Sequence, residues 1–260
     1  MRRAACIAAL ALVCVPVAAA APPEPGVTHV RVPRGTPPVQ WGKQLFGANC
    51  VTCHGPNGRG IYSPIQGVGD QKGLGPRLVG VGAQAADFYL RTGYMPLANV
   101  HAQPSRSRVL FSRGELAALV EYVASLGAGP RIPHPAPSSG SVSDGQALFV
   151  EDCAGCHQVV ARGGYVTNAV AWPLDRASAV EIAEAVRIGP YLMPRFSKRQ
   201  ISDAELNSII RYVRYAKHPA NPGGWSLGNV GPVPEGLVTW FIALVVLVAT
   251  CGLIGQRVRS

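Results

Sequence analysis

Charge is scarce in this sequence, and acidic charge is scarcest. Only 15% of the 260 residues are charged, with 14 Asp and Glu against 24 Lys and Arg, and the formal net charge is +10. A basic balance is compatible with nucleic acid, anionic lipid or an acidic protein partner. The chain lacks a dense Lys/Arg run and an interleaved aromatic stripe, so nucleic acid is the weakest of these three partners.

The sequence is also poor in the residue groupings of common catalytic sites. It has no recognisable Ser/His/Asp set, phosphate-binding loop or second metal cluster, so we expect no independent catalytic site. Methionine is rare too. Apart from the initiator, only Met95 and Met193 occur in the chain.

Cysteine and histidine are concentrated in a motif that occurs twice. Residues 50–54 (CVTCH) and 153–157 (CAGCH) have the Cys-x-x-Cys-His pattern of covalent haem attachment, in which two thiols bind porphyrin vinyl groups and the histidine binds iron. A structural disulfide or a thioredoxin-like redox pair would account for the cysteines, but not for the histidine after each pair. We therefore predict two covalently bound haem c groups. The attachment residues are Cys50, Cys53, Cys153 and Cys156, and the first iron ligands are His54 and His157.

The two internal methionines are candidate sixth ligands. Met95 and Met193 follow the motif histidines by 41 and 36 residues, and each precedes a proline. Thioether sulfur favours ferrous iron, so a His/Met pair raises the reduction potential. The alternatives are that both are core methionines, or that His101 serves the first haem. Two six-coordinate irons would leave no open position for a substrate, which predicts outer-sphere electron transfer.

A histidine that binds iron usually donates its other ring N–H to a nearby carbonyl, which fixes the orientation of the ring. Pro76, in the sequence GPRL, is the candidate acceptor for His54. Pro173, in the sequence WPL, is the candidate for His157. Both assignments rest on position alone.

The sequence around the motifs repeats at an offset of 103 residues. Residues 42–46 (GKQLF) and 145–149 (GQALF) each predict a short helix before the motif, with a glycine that allows close helix packing. Ser-x-x-Glu capping boxes begin further helices with an i, i+3, i+4, i+7 apolar stripe. These boxes lie at 112–115, 178–181 and 202–205, and residues 85–91 match the helix after the second box. The predicted fold class is all-α.

Composition divides the chain into segments. Residues 1–21 have the charged start, apolar core and small-residue end of a signal peptide, with an uncleaved N-terminal anchor as the alternative. Residues 236–255 carry no charge and are long enough for a transmembrane helix. Arginines in the tail, 256–260, predict a cytoplasmic end and extracytoplasmic haem domains in the cell membrane. The remaining boundaries are 39–126 for the first haem domain, 127–141 for a Pro-rich linker, 142–217 for the second haem domain and 218–235 for a Pro/Gly-rich linker.

Each repeat resembles a class I cytochrome c. The whole chain resembles the di-haem cytochrome c subunit (QcrC) of the actinobacterial cytochrome bc complex, a menaquinol–cytochrome c reductase. The tandem repeat, the Pro linker, and residues 221–225 (NPGGW) and 231–236 (GPVPEG) before one C-terminal span carry this resemblance.

The resemblance implies a set of partners and an electron path. The partners would be a cytochrome b subunit, a Rieske iron–sulfur subunit and a cytochrome c oxidase. Electrons would pass from the Rieske protein to the first haem, then to the second, then to the oxidase.

Two departures and two rival functions accompany the resemblance. The N-terminus looks more cleavable than an anchored one, and the arginine-bearing stretch 96–113 has no counterpart in the second repeat. That stretch is either a partner contact or a loop. The rival functions are a di-haem subunit of a haem–copper oxidase and a stand-alone di-haem oxidoreductase such as a peroxidase.

Overall fold

The computed structural model describes residues 26–62, 74–97, 104–220 and 232–259. The described chain is mostly helical, with two similar helical domains and one apolar C-terminal helix, which confirms the all-α prediction. Its elements are α1 (Pro38–Asn49), α2 (Val51–His54), α3 (Gly82–Arg91), α4 (Arg113–Ser125), α5 (Val142–Asp152), α6 (Ala154–His157), β1 (Gly164–Val166), β2 (Ala169–Ala171), α7 (Ala179–Ile188), α8 (Asp203–Lys217) and α9 (Pro232–Arg259).

The first domain is built on the crossing of α1 and α4. Gly42 is buried there, and a Cβ at this position would lie 1.9 Å from the carbonyl oxygen of Ala118. The lack of a side chain therefore lets the two backbones touch. One turn further, the rings of Phe46 and Tyr122 pack with centroids 5.2 Å apart.

The second domain repeats this crossing with α5 and α8. A Cβ at Gly145 would lie 2.0 Å from the carbonyl oxygen of Ser208, and the rings of Phe149 and Tyr212 lie 5.4 Å apart. The predicted role of the two glycines is confirmed in both repeats. The antiparallel hairpin β1–β2 follows α6 and pairs Gly164 with Ala171.

All three predicted capping boxes are present. Ser112, Ser178 and Ser202 cap α4, α7 and α8, and in each box the glutamate three residues later bonds back to the serine backbone. These bonds satisfy N–H groups that the first helical turn leaves without partners. The helix predicted at 85–91 is α3, which begins three residues earlier.

The Pro-rich segment 127–141 forms hydrogen bonds to both domains. The carbonyl oxygen of Pro130 accepts a hydrogen bond from the backbone N–H of Gln84 (3.2 Å). Further on, the backbone N–H of Ala136 donates to Oδ1 of Asn207 (2.8 Å). Composition predicted a semi-rigid, extended spacer. The structure adds that backbone groups of this segment bond to α3 and α8.

The C-terminal helix α9 is apolar over most of its length. Within Val233–Arg257 the most apolar stretch of 18 residues has a mean hydropathy of 2.6, and none of that stretch is buried. By length and composition this helix can cross a membrane, and it contains the predicted span at 236–255. The N-terminal segment 1–21, His101 and residues 221–231 lie outside the described residues.

Candidate haem sites

The first Cys-x-x-Cys-His motif occupies one helical turn. The backbone N–H of Cys50 donates to Phe46 O (2.8 Å) at the end of α1, and α2 then places His54 N–H 2.9 Å from Cys50 O. Positions i, i+3 and i+4 of a helix share one face. Cys50, Cys53 and His54 therefore project to the same side, as attachment and ligation of one porphyrin require.

The second motif has the same local geometry. Cys153 N–H donates to Phe149 O (2.9 Å), and His157 N–H donates to Cys153 O (2.9 Å). The loop after each motif also turns in the same way. His54 O accepts from Gly60 N–H (2.7 Å), as His157 O accepts from Gly163 N–H (3.0 Å).

Both motif histidines meet a backbone carbonyl through Nδ1. Nδ1 of His54 lies 2.8 Å from the carbonyl oxygen of Pro76, which is the predicted partner. Nδ1 of His157 lies 3.1 Å from the carbonyl oxygen of Trp172. The prediction of Pro173 is therefore wrong by one residue.

The structural equivalence of the two loops explains this error. Leu78 N–H donates to Gly58 O (2.7 Å), and Leu174 N–H donates to Ala161 O (2.9 Å), so these two leucines correspond. In both domains the acceptor carbonyl belongs to the residue two positions before the leucine. The first loop has Arg77 between its proline and its leucine, whereas the second has none, so aligning the prolines shifts the assignment.

The hydrogen bonds fix which nitrogen is available to a metal. A carbonyl can only accept, so Nδ1 carries the proton and Nε2 of a neutral imidazole keeps its lone pair. Burial lowers the pKa of His54 and of His157, against the opposing effect of the carbonyl bond, and so favours this neutral form. Both side chains therefore fit an iron on the Nε2 side.

The motif cysteines form no disulfide with one another. Burial, reinforced by the neighbouring Cys53, raises the pKa of Cys50 to about 12. Burial, with Asp152 and Cys156 nearby, raises the pKa of Cys153 to about 12. A redox-active cysteine pair needs a lowered thiol pKa, so these two positions do not suit a thioredoxin-like reaction. They suit thioether formation, which consumes the thiols.

The two candidate methionines lie on loops that leave equivalent helices. Met95 follows α3, where its N–H donates to Tyr89 O (3.0 Å) and its side chain is half-buried. Met193 follows α7, where its N–H donates to Pro190 O (3.0 Å) and its side chain packs against the second core. Their ligation of iron stays a prediction.

Apolar side chains next to the second ligand set are exposed. Leu192 is 53% exposed and Trp172 is 37% exposed, each beside a residue of the site. An apolar porphyrin face needs such a lining. The donor set, the orientation of the histidines and this lining all fit a haem c. Within the described residues, no group of three or more His, Cys, Asp or Glu side chains could hold a metal ion instead.

Two features of the site were not predicted from the sequence. One is Trp172 as the acceptor for His157, which an alignment on leucine would have found. The other is the contact between the two domains, where Arg106 Nη2 lies 3.1 Å from Glu181 Oε1. This contact gives one arginine of the stretch 96–113 a role within the chain.

Family models of known proteins match both halves of the chain. The cytochrome c family model matches residues 39–127, and the model for subunit III of cbb3-type cytochrome c oxidase matches residues 140–213. A cbb3-type oxidase subunit CcoP from an Azospirillum species is 28% identical, over 66% of this chain and 60% of its own.

Other relatives match more of the chain at higher identity. The cytochrome bc1 complex cytochrome c subunit of Corynebacterium diphtheriae is 38% identical over 84% of this chain and 81% of its own. That of Mycobacterium tuberculosis is 36% identical over 83% of this chain and 77% of its own. With this identity and coverage, the chain belongs to the family of cytochrome bc1 complex cytochrome c subunits.

Proposed function

We propose that this chain is the membrane-anchored, di-haem electron-transfer subunit of a menaquinol–cytochrome c reductase. Electrons enter from a Rieske iron–sulfur protein at the first haem, pass to the second, and leave to a cytochrome c oxidase. The observation that carries the proposal is the duplicated histidine geometry: both motif histidines hold Nδ1 against a backbone carbonyl, at 2.8 and 3.1 Å. Membership of the bc1 subunit family supports the choice of complex.

The residues of each site have separate roles in holding the haem. The cysteines tether the porphyrin, the histidine binds one side of the iron, and the methionine binds the other. When bound, haem c supplies a reversible one-electron couple whose potential the axial ligands set. The first site comprises Cys50, Cys53, His54 and Met95. The second comprises Cys153, Cys156, His157 and Met193.

The membrane arrangement follows from α9. Its apolar stretch supports a membrane anchor, and Arg257 at its end favours a cytoplasmic tail by the positive-inside rule. The haem domains then lie on the extracytoplasmic side, next to the cytochrome b and Rieske subunits. The chain is an electron-transfer part of an oxidoreductase complex (a translocase) and has no catalytic site of its own.

Haem count and iron ligation test the sites. The purified chain is expected to hold two haem c groups, counted by pyridine haemochrome absorbance, and Met193→Ala is expected to open the second iron to carbon monoxide. Val150→Ala, an exposed change on α5, is the matched control and should leave the reduced protein unreactive. Carbon monoxide binding to the reduced native protein would contradict His/Met ligation and favour a stand-alone di-haem oxidoreductase.

Co-purification tests the complex. A C-terminally tagged chain, solubilised gently, is expected to bring cytochrome b and Rieske subunits with it, and the oxidase in a milder detergent. The match of 140–213 to the cbb3 subunit III family model makes a haem–copper oxidase the second candidate. Recovery of oxidase subunits without cytochrome b and Rieske subunits would favour that candidate and refute the first.

A further inference from the structure

A fully buried carboxyl group lies where the two haem domains meet. The helix α7 packs against α3, and Glu184 on α7 is 0% exposed. Neither of its carboxyl oxygens has a hydrogen-bonding partner among the described residues. An ionised carboxylate buried in this way is strongly disfavoured, because burial removes water without supplying another donor.

The acidic surroundings of Glu184 make the ionised form still less favourable. Asp87 on α3 is 3% exposed, and Glu181, one turn before Glu184 on α7, is 7% exposed. The nearby arginines are already paired. Arg91 Nε donates to Asp87 Oδ2 (2.8 Å), and Arg106 Nη2 donates to Glu181 Oε1 (3.1 Å).

The helix α8 also packs on α7, and among the described residues it adds no hydrogen-bonding partner for Glu184. Asp203, the first residue of α8, accepts hydrogen bonds from Arg187 Nη2 (2.8 Å) and Lys198 Nζ (2.7 Å). Burial first, and then the negative charges of Asp87 and Glu181, raise the pKa of Glu184 to about 8, while Arg91 opposes the rise. Glu184 is therefore a neutral acid at pH 7.

The position of Glu184 in the repeat places it on a helix that leads to a candidate haem ligand. Glu184 and Asp87 occupy matching places on α7 and α3, as do Glu181 and Gln84. Each of the two helices leads directly into the loop that bears a candidate methionine ligand. The contact between α3 and α7 thus joins the domains next to both sixth-ligand loops.

We propose that Glu184 is a positioning residue for electron transfer between the haems: as a neutral acid it holds the two haem domains together at the α3–α7 contact, and its ionisation releases them. This inference rests on the proposed two-haem function. Within that function, acidification on the extracytoplasmic side favours the contact between the domains.

Proton linkage gives the sign and size of the effect. In the separated domains the carboxyl returns to its ordinary pKa of 4.5, whereas in the contact the value is about 8. The contact state therefore binds more protons between these two values, so the ratio of contact to separated molecules falls about tenfold for each pH unit of rise. Above about pH 8 the ratio is constant.

The test uses the full-length, haem-loaded chain in detergent. Pulsed dipolar electron paramagnetic resonance between the two ferric haems measures the domain separation without added cysteines. The wild-type distance distribution is expected to be narrow at about pH 6 and broad at about pH 9. Glu184→Gln, which stays neutral, should keep the narrow distribution at both pH values. Glu121→Gln, an exposed change on α4, should behave as wild type.

Infrared spectroscopy supplies a second readout. The carbonyl band of a protonated carboxyl should disappear by about pH 9 in the wild type and be missing in Glu184→Gln. If Glu184→Gln is recovered with fewer than two attached haems, Asp87→Asn is used in its place. This variant should retain the contact to higher pH because a neighbouring negative charge is gone.

A wild-type distance that is the same at both pH values, or a Glu184→Gln distance that changes as in wild type, would overturn the inference. Haem stoichiometry is measured first on the same samples. A chain with fewer than two haems refutes the proposed function, and this result is distinct from two haems at an unchanging distance.

Discussion

The glycine at the helix crossing of the first domain leads to a prediction with an internal control. In Gly42→Ala the new Cβ would meet Ala118 O at 1.9 Å and the Cβ of Tyr122 at 2.7 Å. In Gly47→Ala, five residues later on the same helix, the new methyl group meets nothing within 4 Å. The two substitutions add the same atom to α1, so their difference isolates the contact with α4.

The magnitudes follow from two opposing effects. Alanine is favoured over glycine in a helix interior by about 1 kcal/mol, which both variants gain. At Gly42 the neighbouring atoms are backbone and cannot rotate away, so α1 must move from α4 by roughly 1 Å or more, and overpacking of this kind costs about 3 kcal/mol. Gly47→Ala should therefore stabilise the first domain by about 1 kcal/mol, and Gly42→Ala should destabilise it by about 2 kcal/mol.

Hydrogen exchange measured by mass spectrometry suits this prediction because it reports each helix separately. A single melting curve would combine the stabilities of the two domains. Opening free energies of peptides from α1 and α4 report the change, and peptides from α5 and α8 serve as the reference. Gly42→Ala should also lower the yield of haem attachment at the first site, since Cys50 follows α1 directly. Equal protection of α1 in the two variants would refute the close helix approach.

Two further predictions concern backbone strain and acid stability. Gln158 has φ 59° and ψ 156°, a conformation that suits glycine, so Gln158→Gly should stabilise the second domain by about 1 kcal/mol in the same exchange measurement. Gln146→Gly inside α5 should instead destabilise it by about 1 kcal/mol. Burial acts to raise the pKa of the Glu115 carboxyl, but hydrogen bonds from Ser112 and His29 outweigh burial and lower this pKa. The stabilisation that ionised Glu115 provides is therefore lost as pH falls below 4.5. The exchange protection of residues 26–30, which include His29, should therefore fall on acidification in wild type and in the control variant Glu121→Gln. In Glu115→Gln, acidification should not lower this protection further, because position 115 has no charge to lose.

The sequence predicted local structure best where one residue type has one physical use. Each Ser-x-x-Glu box begins a helix because the bonds that define it are made within four residues. Gly42 and Gly145 were assigned to close helix packing for the same kind of reason, since only glycine allows backbones to touch. The prediction of the acceptor for His157 failed because this acceptor is a backbone carbonyl, which every residue has. The side chain of Pro173 therefore gave no information about it.

The burial of Glu184 at the contact between the domains could not be predicted from the sequence, for a different reason. A glutamate on an amphipathic helix is ordinarily exposed, whereas Glu184 is buried on a helix that packs against α3 of the other domain. The sequence shows that the two helices are equivalent copies. It does not show that equivalent copies face each other.

The two kinds of contact in this chain should respond independently to substitution. Within each domain the helices cross through glycine and apolar side chains, whereas the contact between the domains includes the ion pair of Arg106 and Glu181 and the buried carboxyl group of Glu184. Contacts between domains of one chain are commonly more polar and more easily separated than a core. Gly42→Ala should thus change exchange protection without changing the pH dependence of the haem–haem distance, and Glu184→Gln should do the reverse. The double variant should show the opening free energy of Gly42→Ala within about 0.5 kcal/mol, together with the constant haem–haem distance of Glu184→Gln, because the two sites lie in different contacts.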